Sequence, residues 1–427
     1  MSALAARQAM RAGTLTSAAF TRTCLERIDV REAQVGAWTY LDGESALNTA
    51  RRCDQQGFAG ALAGLPIAVK DLFDTCDMPT GYGSPIYAGH QPRADAAAVA
   101  LIRRAGGVVL GKTVTTEFAM FSAGKTANPH RLEHTPGGSS SGSAAAVADG
   151  MVPLALGTQT AGSIIRPASF CGVVGYKPSF GLISAVGVKT AAWSLDTVGV
   201  FAREVDGAAL FAGVLSDRDL AGELHQHGRL PRFGLCRTPQ WTFADADSRD
   251  ALDVAAARIE TAGAVVVPVE LPAQFEALLD AQHTVMVYEL SRALVFEMNT
   301  APDMITERLR TLFEEGERVS GTAYDQARET ADRCRRDLGR VFVNVDALIA
   351  PSAPGEAPER SQGTGDPVLN RIWTLLGVPC INVPGLTGTR GLPVGIQVIG
   401  DMNQDATALA AARWLEQCLA PISSPSS

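Results

Sequence analysis

Two short segments rich in glycine, serine and threonine carry the residue types that could do chemistry in this sequence. The first, Pro136–Ser143, reads Pro-Gly-Gly-Ser-Ser-Ser-Gly-Ser and continues into an apolar helical stretch at Ala144. Tight glycine turns there bring backbone amides and hydroxyls together at a helix start, where anionic groups are favoured. The second, Gly157–Pro167, follows the predicted strand Met151–Leu156. A hydroxyl after small residues at the carboxyl end of a strand is well placed to attack a carbonyl, and the amides of the small residues can face the developing oxyanion.

Lys70 is the third candidate, because it ends the predicted apolar strand Leu65–Lys70, an unusual place for an ammonium group. From the residues alone, three interpretations have equal weight. Lys70 reaches solvent, it pairs with an acid such as Asp71, or it is held neutral as a base.

Together these segments resemble the amidase signature family, and the resemblance extends from the N-terminal helices to Gly391–Val398. It implies a Ser–cis-Ser–Lys triad, with Ser163 as the acylating nucleophile, Ser139 as the bridging serine with a cis peptide, and Lys70 as the base. The implied oxyanion hole consists of backbone N–H groups around Thr160, Ala161, Gly162 and Ser163. Ser163 attacks the amide carbon, ammonia leaves with a relayed proton, and water clears the acyl-enzyme. Lys70 must be neutral to act as the base. Lowering its pKa by ~3 units from about 10.4 costs about 4 kcal/mol, and burial can supply a shift of this size.

The second segment departs from the common family pattern at three positions. Gln159 stands where most members have Asp, Ala161 stands where they have Gly, and Arg166 lies one place further on. Gln159 and Arg166 resemble the malonamidase branch, in which the matching Arg binds the free carboxylate of a malonate-type substrate. Arg166 is therefore expected to hold a substrate carboxylate in a bidentate grip, and its alternative role is an ion pair with an acid such as Asp196. Ala161 departs from malonamidase itself and adds a methyl group beside the expected oxyanion hole.

The resemblance thus implies an amidase that hydrolyses a small, malonamate-like carboxamide to a carboxylate and ammonia. One alternative is a glutamine-hydrolysing amidotransferase A-type subunit, which shares the Ser/Ser/Lys set and needs partner chains. Another is a nucleotide-binding protein, because Gly106–Thr113 satisfies the pattern G-x-x-x-x-G-K-[ST]. A phosphate loop needs a strand before the first glycine and a helix after the lysine. Here the order is inverted, since the predicted helix Ala94–Ala105 comes first and the Val-Val-Leu centre favours a buried strand.

Composition and charge narrow the choice of partners. The chain has 427 residues, 46% apolar and 19% charged, with 37 Lys and Arg against 45 Asp and Glu and a net charge of −8. Without a dense Lys/Arg cluster, nucleic acid and anionic membranes are disfavoured, and no apolar run reaches the roughly 18 residues of a membrane span. The eight cysteines include no C-x-x-C pair, which disfavours a metal site and suits a reducing cytoplasm. We expect a cytoplasmic enzyme without metal or cofactor, acting on a small-molecule amide, and a homodimer is common among the relatives that it resembles.

Apolar runs of strand length alternate with helical stretches, which predicts a largely parallel or mixed sheet covered by helices. The predicted strands are Leu65–Lys70, Val108–Gly111, Met151–Leu156, Arg232–Cys236, Ala264–Val269, Ala347–Ala350 and Val394–Ile399. The predicted helices are Ser2–Arg11, Thr16–Arg31, Ala94–Ala105, Ser143–Asp149, Ser248–Ala262, Gln274–Met298, Tyr324–Val341 and Asp405–Cys418. The family resemblance implies a single α/β/α domain with a large mixed β-sheet. Residues 1–60 are assigned to N-terminal helices packing on the core, 61–420 to the amidase signature domain with a helical subdomain at 271–345, and 421–427 to a flexible tail.

Overall fold

The computed structural model describes residues 1–58, 60–224 and 229–419, and in that part of the chain one mixed β-sheet of eleven strands forms the centre. The strands are β1 (Trp38–Leu41), β2 (Pro66–Lys70), β3 (Val108–Thr113), β4 (Leu154–Gln159), β5 (Val174–Lys177), β6 (Thr197–Ala202), β7 (Arg232–Cys236), β8 (Val265–Val269), β9 (Ala347–Pro351), β10 (Cys380–Thr387) and β11 (Pro393–Ile399). Their order in space is β1-β3-β2-β4-β6-β5-β10-β11-β9-β7-β8. The predicted fold class, a single α/β domain with a large mixed sheet and helices, is confirmed.

The sheet brings Lys70 and the second Gly/Ser/Thr segment to one edge. β2 runs parallel to both β3 and β4, with Ile67 opposite Leu154. The carboxyl ends of parallel strands meet at the same edge of a sheet. Lys70, the last residue of β2, therefore lies close to the loop that follows Gln159, the last residue of β4.

Helices cover the sheet and form a second layer beyond it. They are α1 (Ala3–Arg11), α2 (Ser17–Val35), α3 (Gly43–Gln56), α4 (Ala97–Arg104), α5 (Ser141–Ala148), α6 (Ile165–Cys171), α7 (Val205–Ser216), α8 (Leu220–Glu223), α9 (Ala246–Thr261), α10 (Leu278–Ala293), α11 (Val295–Thr300), α12 (Glu307–Arg318), α13 (Gly321–Val341), α14 (Val368–Leu376) and α15 (Asp405–Leu419). α5 packs on β2, β3 and β4, while α6 packs on β5, β10 and β11. No helix in the described ranges combines the length and the apolar composition that crossing a bilayer requires.

Helices α10, α12 and α13 pack against one another within residues 271–345. Their assignment to a subdomain, like the other domain bounds, stays a prediction. The segment 421–427, predicted as a tail, lies outside the described residues.

Two predicted elements differ from the structure for local reasons. The strand predicted at Met151–Leu156 forms further along, at Leu154–Gln159. Pro153 has no N–H to donate, and β4 is hydrogen-bonded on both sides, so the proline is excluded from it. The helix predicted at Gln274–Met298 is interrupted at Leu294, whose φ of −107° and ψ of 16° separate α10 from α11. Periodicity also does not predict β1, β5, β6 and β10, because these strands are set by pairing with segments that are distant in sequence.

The phosphate-loop pattern at Gly106–Thr113 forms strand β3, which is buried along its length. Its Lys112 is completely buried and pairs with the Asp71 carboxylate at 3.1 Å. The Lys112 ammonium also donates to the carbonyl of Phe73 and the hydroxyl of Thr80. A lysine enclosed in this way cannot reach a phosphate, and the strand interpretation is confirmed.

We predict that Lys112→Ala lowers the free energy of unfolding by about 3 kcal/mol, because it leaves the buried Asp71 carboxylate without its partner. Urea unfolding measures the loss. The matched control is Arg237→Ala, which removes the solvent-exposed pair of Arg237 with Asp253 and is worth at most about 1 kcal/mol. We also expect Mg-ATP to leave the melting temperature unchanged, and a shift that Lys112→Ala abolishes would restore the nucleotide-binding interpretation.

Candidate active site

Lys70 ends β2 inside the protein, with no exposed surface. Its Nζ is 2.8 Å from the hydroxyl oxygen of Ser139 and 2.7 Å from that of Thr158. Burial lowers the pKa of the Lys70 ammonium well below its ordinary value, although the Asp196 carboxylate acts in the opposite direction. Two of the three interpretations are therefore wrong: Lys70 does not reach solvent, and Asp71 pairs with Lys112 instead. The remaining one, an amine held neutral by desolvation, agrees with its two uncharged hydroxyl partners.

The first segment, Pro136–Ser143, is buried throughout and leads into α5. The Gly138–Ser139 peptide bond is cis, as the family resemblance implies. A side chain at position 138 would come within 2.8 Å of a methyl group of Thr364, which explains why glycine is needed there. The Ser141 hydroxyl donates to the carbonyl of Gly137 at 2.8 Å and so fixes the turn that presents Ser139 to Lys70.

The second segment forms the turn between β4 and α6, and Ser163 lies in it. Ser139 and Ser163 line the same small cavity, together with Thr160, Ala161 and Arg166. The cavity measures about 20 Å³, which is room for roughly one water molecule. Within the described residues the Ser163 hydroxyl has no hydrogen-bond partner. The structure therefore brings Lys70, Ser139 and Ser163 to one buried site and leaves the third hydroxyl free.

The turn after β4 also presents backbone donors. The N–H groups of Ala161, Gly162 and Ser163 donate to no acceptor in the described part of the chain. Gly162 has to lack a side chain, because a Cβ there would lie 2.5 Å from Oδ1 of Asn370. The methyl group of Ala161 lines the cavity, as expected from its position beside the predicted oxyanion hole. Three unpaired donors beside a free hydroxyl match the needs of a tetrahedral oxyanion.

Gln159, which replaces the Asp found in most family members, anchors the start of α6. Its Oε1 accepts from the backbone N–H groups of Ile164 and Ile165 at 2.8 and 3.0 Å. Its Nε2 donates to the hydroxyl of Thr374 on α14 at 2.9 Å. A neutral amide can make both kinds of bond at once, whereas a carboxylate only accepts.

Arg166 follows at the start of α6, only 3% exposed. Its guanidinium donates to the carbonyls of Gly138 and Gly365, each at 2.6 Å, and to the hydroxyl of Thr364 at 3.3 Å. Its Nε is buried without a partner, and no carboxylate in the described residues pairs with it. Burial lowers the pKa of Arg166 to about 10, so the group stays cationic at neutral pH. Arg166 is thus a buried cation that lines the cavity; no described carboxylate forms a salt bridge with it, and the nearby Asp366 carboxylate acts only to raise its pKa.

Asp196, the alternative partner expected for Arg166, is engaged elsewhere. Its carboxylate accepts from the Thr160 hydroxyl at 2.6 Å and from the backbone N–H groups of Ala191 and Ala192. Burial raises the pKa of Asp196 to about 6 against the effect of these bonds. The predicted alternative, an ion pair of Arg166 with Asp196, is therefore wrong, and Asp196 instead holds Thr160 in the turn that contains Ser163.

Thr158 is a site residue that the sequence analysis did not single out. It lies inside the second segment, on β4, and its hydroxyl contacts the Lys70 amine. The sequence shows a threonine in this segment, but its closeness to Lys70 could be recognised only once the pairing of β2 with β4 was known.

A larger cleft of about 640 Å³ adjoins the cavity and shares Phe121 and Pro367 with it. The guanidinium of Arg308 lies over the Phe121 ring, 4.6 Å from its centroid. The two cavities therefore lie next to each other at Phe121 and Pro367.

Potential metal ligands lie elsewhere. In the described ranges, Cys76, Asp77 and Asp95 form one group whose ligand atoms lie within 4.8 Å of one another. Arg103 already pairs with both carboxylates, at 2.6 and 2.9 Å. None of these residues lines the cavity of Ser163.

The chain is similar to known proteins over most of its length. The family model described as Amidase matches residues 19–409. The A subunit of the glutamyl-tRNA(Gln) amidotransferase of Anaeromyxobacter sp. (strain K) is 35% identical over 471 residues, covering 97% of this chain and 95% of that protein. A crystal structure of an amidase has a TM-score of 0.89 at 30% identity, covering 98% of this chain and 99% of the other. The peptide amidase of Stenotrophomonas maltophilia has a TM-score of 0.84 at 32% identity, covering 96% of this chain and 95% of the other.

The charge of Asp196 should affect the pKa of Lys70. Its carboxylate raises the pKa of Lys70, so Asp196→Asn is expected to lower that pKa and extend reactivity to more acidic pH. The measurement is the rate at which a fluorophosphonate labels Ser163 as a function of pH, followed by intact mass. Asn has a single acceptor oxygen, so its Oδ1 keeps the N–H groups of Ala191 and Ala192 while its NH₂ donates to the hydroxyl oxygen of Thr160. Asp77→Asn, a change at the surface, is the control. A midpoint that moves to higher pH in Asp196→Asn would contradict the assignment of Lys70 as the base.

Proposed function

This chain belongs to the amidase family and is an amide-hydrolysing enzyme, and we propose that it acts through Lys70, Ser139 and Ser163. The observation that carries the proposal is the position of Ser139. Its hydroxyl lies 2.8 Å from the buried Lys70 amine, and it lines the same cavity as Ser163. A neutral amine can accept the Ser139 proton while Ser139 takes the proton of Ser163. This Ser–Lys arrangement is an alternative to a Ser–His–Asp triad.

The reaction proceeds in two halves. Ser163 Oγ bonds to the amide carbon as its proton passes through Ser139 to Lys70, and the N–H groups of Ala161, Gly162 and Ser163 stabilise the oxyanion. The C–N bond then breaks, and the proton returns through Ser139 to the departing nitrogen, which leaves as ammonia. A water molecule attacks the acyl-enzyme by the same route and releases the carboxylate.

We propose a substrate that carries a carboxylate near its amide, as malonamate does. Arg166 supports this, because a buried guanidinium that no carboxylate contacts directly is costly unless an anion completes it. Its unpartnered Nε and its place in the cavity of Ser163 agree with that role.

A second candidate is hydrolysis of glutamine within a multi-chain amidotransferase. The observation that favours it is the 35% identity with the A subunit of a glutamyl-tRNA(Gln) amidotransferase, over nearly the whole of both chains. Glutamine also carries a carboxylate that Arg166 could bind, but this function requires partner chains. Turnover by the purified single chain distinguishes the two functions.

Assembly as a homodimer and a cytoplasmic location complete the proposal. The eight cysteines are free thiols, which agrees with a reducing compartment. Size measurement in solution tests the dimer.

Ser163→Ala should abolish ammonia release, because no other hydroxyl can form the acyl-enzyme. The assay measures ammonia from malonamate, malonamide, glutamine, aliphatic and aryl amides and ureas with the purified chain. The expected profile is turnover of malonamate by the parent and labelling by a fluorophosphonate at Ser163 alone. Full activity in Ser163→Ala would end the proposed mechanism, and turnover of glutamine only with partner chains would favour the amidotransferase function.

Arg166→Ala should lower kcat/KM for malonamate relative to malonamide by at least about 30-fold, since the variant loses a buried partner of the carboxylate. Arg166 also holds two carbonyls, so both substrates lose some activity through the displaced Gly138. The ratio of the two substrates in one variant cancels that shared loss. Equal losses on both would assign Arg166 a structural role only.

A further inference from the structure

Three successive carbonyl groups in the turn after β4 each accept a hydrogen bond. Thr160 O accepts from Nε2 of Gln282 at 3.2 Å, and Ala161 O accepts from the hydroxyl of Thr374 at 2.7 Å. Gly162 O accepts from the backbone N–H of Arg166 at 3.0 Å. Each of three successive carbonyls thus has an anchor outside the turn.

Anchoring a carbonyl also aims the next N–H. A peptide unit is planar, and in the trans form its C=O and N–H point in opposite directions. The bond to Thr160 O therefore directs the N–H of Ala161, and the bond to Ala161 O directs the N–H of Gly162. These N–H groups are among those without an acceptor in the described residues. Two side chains that contact no reacting atom therefore determine where the donors point.

Gln282 lies on α10 and is completely buried. Its Oε1 accepts from Nε of Arg371 on α14. Because a guanidinium only donates, the amide oxygen of Gln282 has to face Arg371, which leaves its NH₂ group to face Thr160 O. Arg371 thereby selects one of the two orientations of the Gln282 amide.

Thr374 lies one turn further along α14, also buried. Its hydroxyl oxygen accepts from Nε2 of Gln159 at 2.9 Å. Its hydrogen has two carbonyls in reach, Ala161 O at 2.7 Å and Asn370 O at 3.2 Å, of which Ala161 O is the closer. Both anchors thus depend on α14, and Gln282 itself comes from α10.

We propose that Gln282 and Thr374 are positioning residues for the oxyanion hole: they hold the carbonyls of Thr160 and Ala161 and thereby aim the N–H groups of Ala161 and Gly162 at the tetrahedral oxyanion. The proposal rests on the proposed Ser163 chemistry. It predicts a defect in the transition state with little change in ground-state binding, because neither side chain contacts the substrate.

The test uses the purified full chain and a fluorophosphonate, whose reaction does not require the natural substrate to be known. Ser163 Oγ bonds to phosphorus, the P–F bond breaks, fluoride leaves, and the Ser163 proton passes through Ser139 to Lys70. Negative charge develops on the phosphoryl (P=O) oxygen, which lies in the oxyanion hole. We expect Gln282→Met and Thr374→Val each to lower the labelling rate constant by roughly tenfold or more, and Thr374→Ser to restore most of it. Gln282→Glu should resemble Gln282→Met, because its carboxylate keeps the Arg371 contact but cannot donate to Thr160 O.

Two controls separate this role from a general loss of stability. Ser17→Ala removes another buried hydroxyl-to-carbonyl bond, to Gly64 O at 2.9 Å, and should lower the melting temperature without slowing labelling. The pH midpoint of labelling should stay at its parent value in Gln282→Met and Thr374→Val, because the base is untouched.

The outcomes are distinct. A parent that is not labelled, or a Ser163→Ala variant labelled as fast as the parent, overturns the proposed function and this inference with it. Labelling of Ser163 at the parent rate in both folded variants overturns this inference alone. A loss that Thr374→Ser does not restore also counts against it. For a substrate that the parent turns over, a fall in kcat at constant KM supports positioning, and a rise in KM alone contradicts it.

Discussion

The burial of one amine among hydroxyl groups is the constraint on which the rest of this site depends. Lys70 has no exposed surface and, among the described residues, no carboxylate in direct contact; its partners are the hydroxyls of Ser139 and Thr158. Desolvation penalises the charged form and lowers the pKa of the Lys70 ammonium, as the proposed role of a base requires. The parallel pairing of β2 with β4 brings the Thr158 hydroxyl to that amine, and the segment Pro136–Ser143 brings the Ser139 hydroxyl.

Three buried lysines show how the surroundings decide the function of one residue type. Lys112 contacts Asp71 and serves as the cation of a buried pair. Lys177 donates to the carbonyls of Pro178 and Val378, which hold it in place without offering it a proton to accept. Lys112 also contacts the hydroxyls of Thr75 and Thr80, but of the three lysines only Lys70 has hydroxyl groups as its only hydrogen-bond partners in the described residues. The lysine that matches a nucleotide-binding pattern is therefore structural, and the one that ends an ordinary apolar strand is suited to catalysis.

The electrostatics around Ser163 divide between two charges that do not meet. Asp196 holds the Thr160 hydroxyl and two backbone N–H groups, while Arg166 holds the carbonyls of Gly138 and Gly365. Because the two side chains bind separate parts of the backbone, Asp196 does not form an ion pair with Arg166 beside the cavity. Both charged side chains therefore stabilise the backbone around Ser163, and the proposed carboxylate substrate depends on the charge of Arg166.

The sequence by itself determined which groups could react and where several of them lie in the chain. The two Gly/Ser/Thr segments, the lysine at the end of an apolar strand and the buried strand at Val108–Gly111 could all be identified from residue types and local order. The strand Leu154–Gln159 was misplaced by three residues, and the contributions of Thr158, Gln282 and Thr374 were not identified. Only the tertiary structure decided that Lys70 is enclosed, that no described carboxylate forms an ion pair with Arg166, and that side chains of α10 and α14 bind the turn after β4. The reason is physical: backbone conformation depends largely on neighbours in the chain, whereas a pKa and the direction of an N–H depend on atoms that folding brings from distant segments.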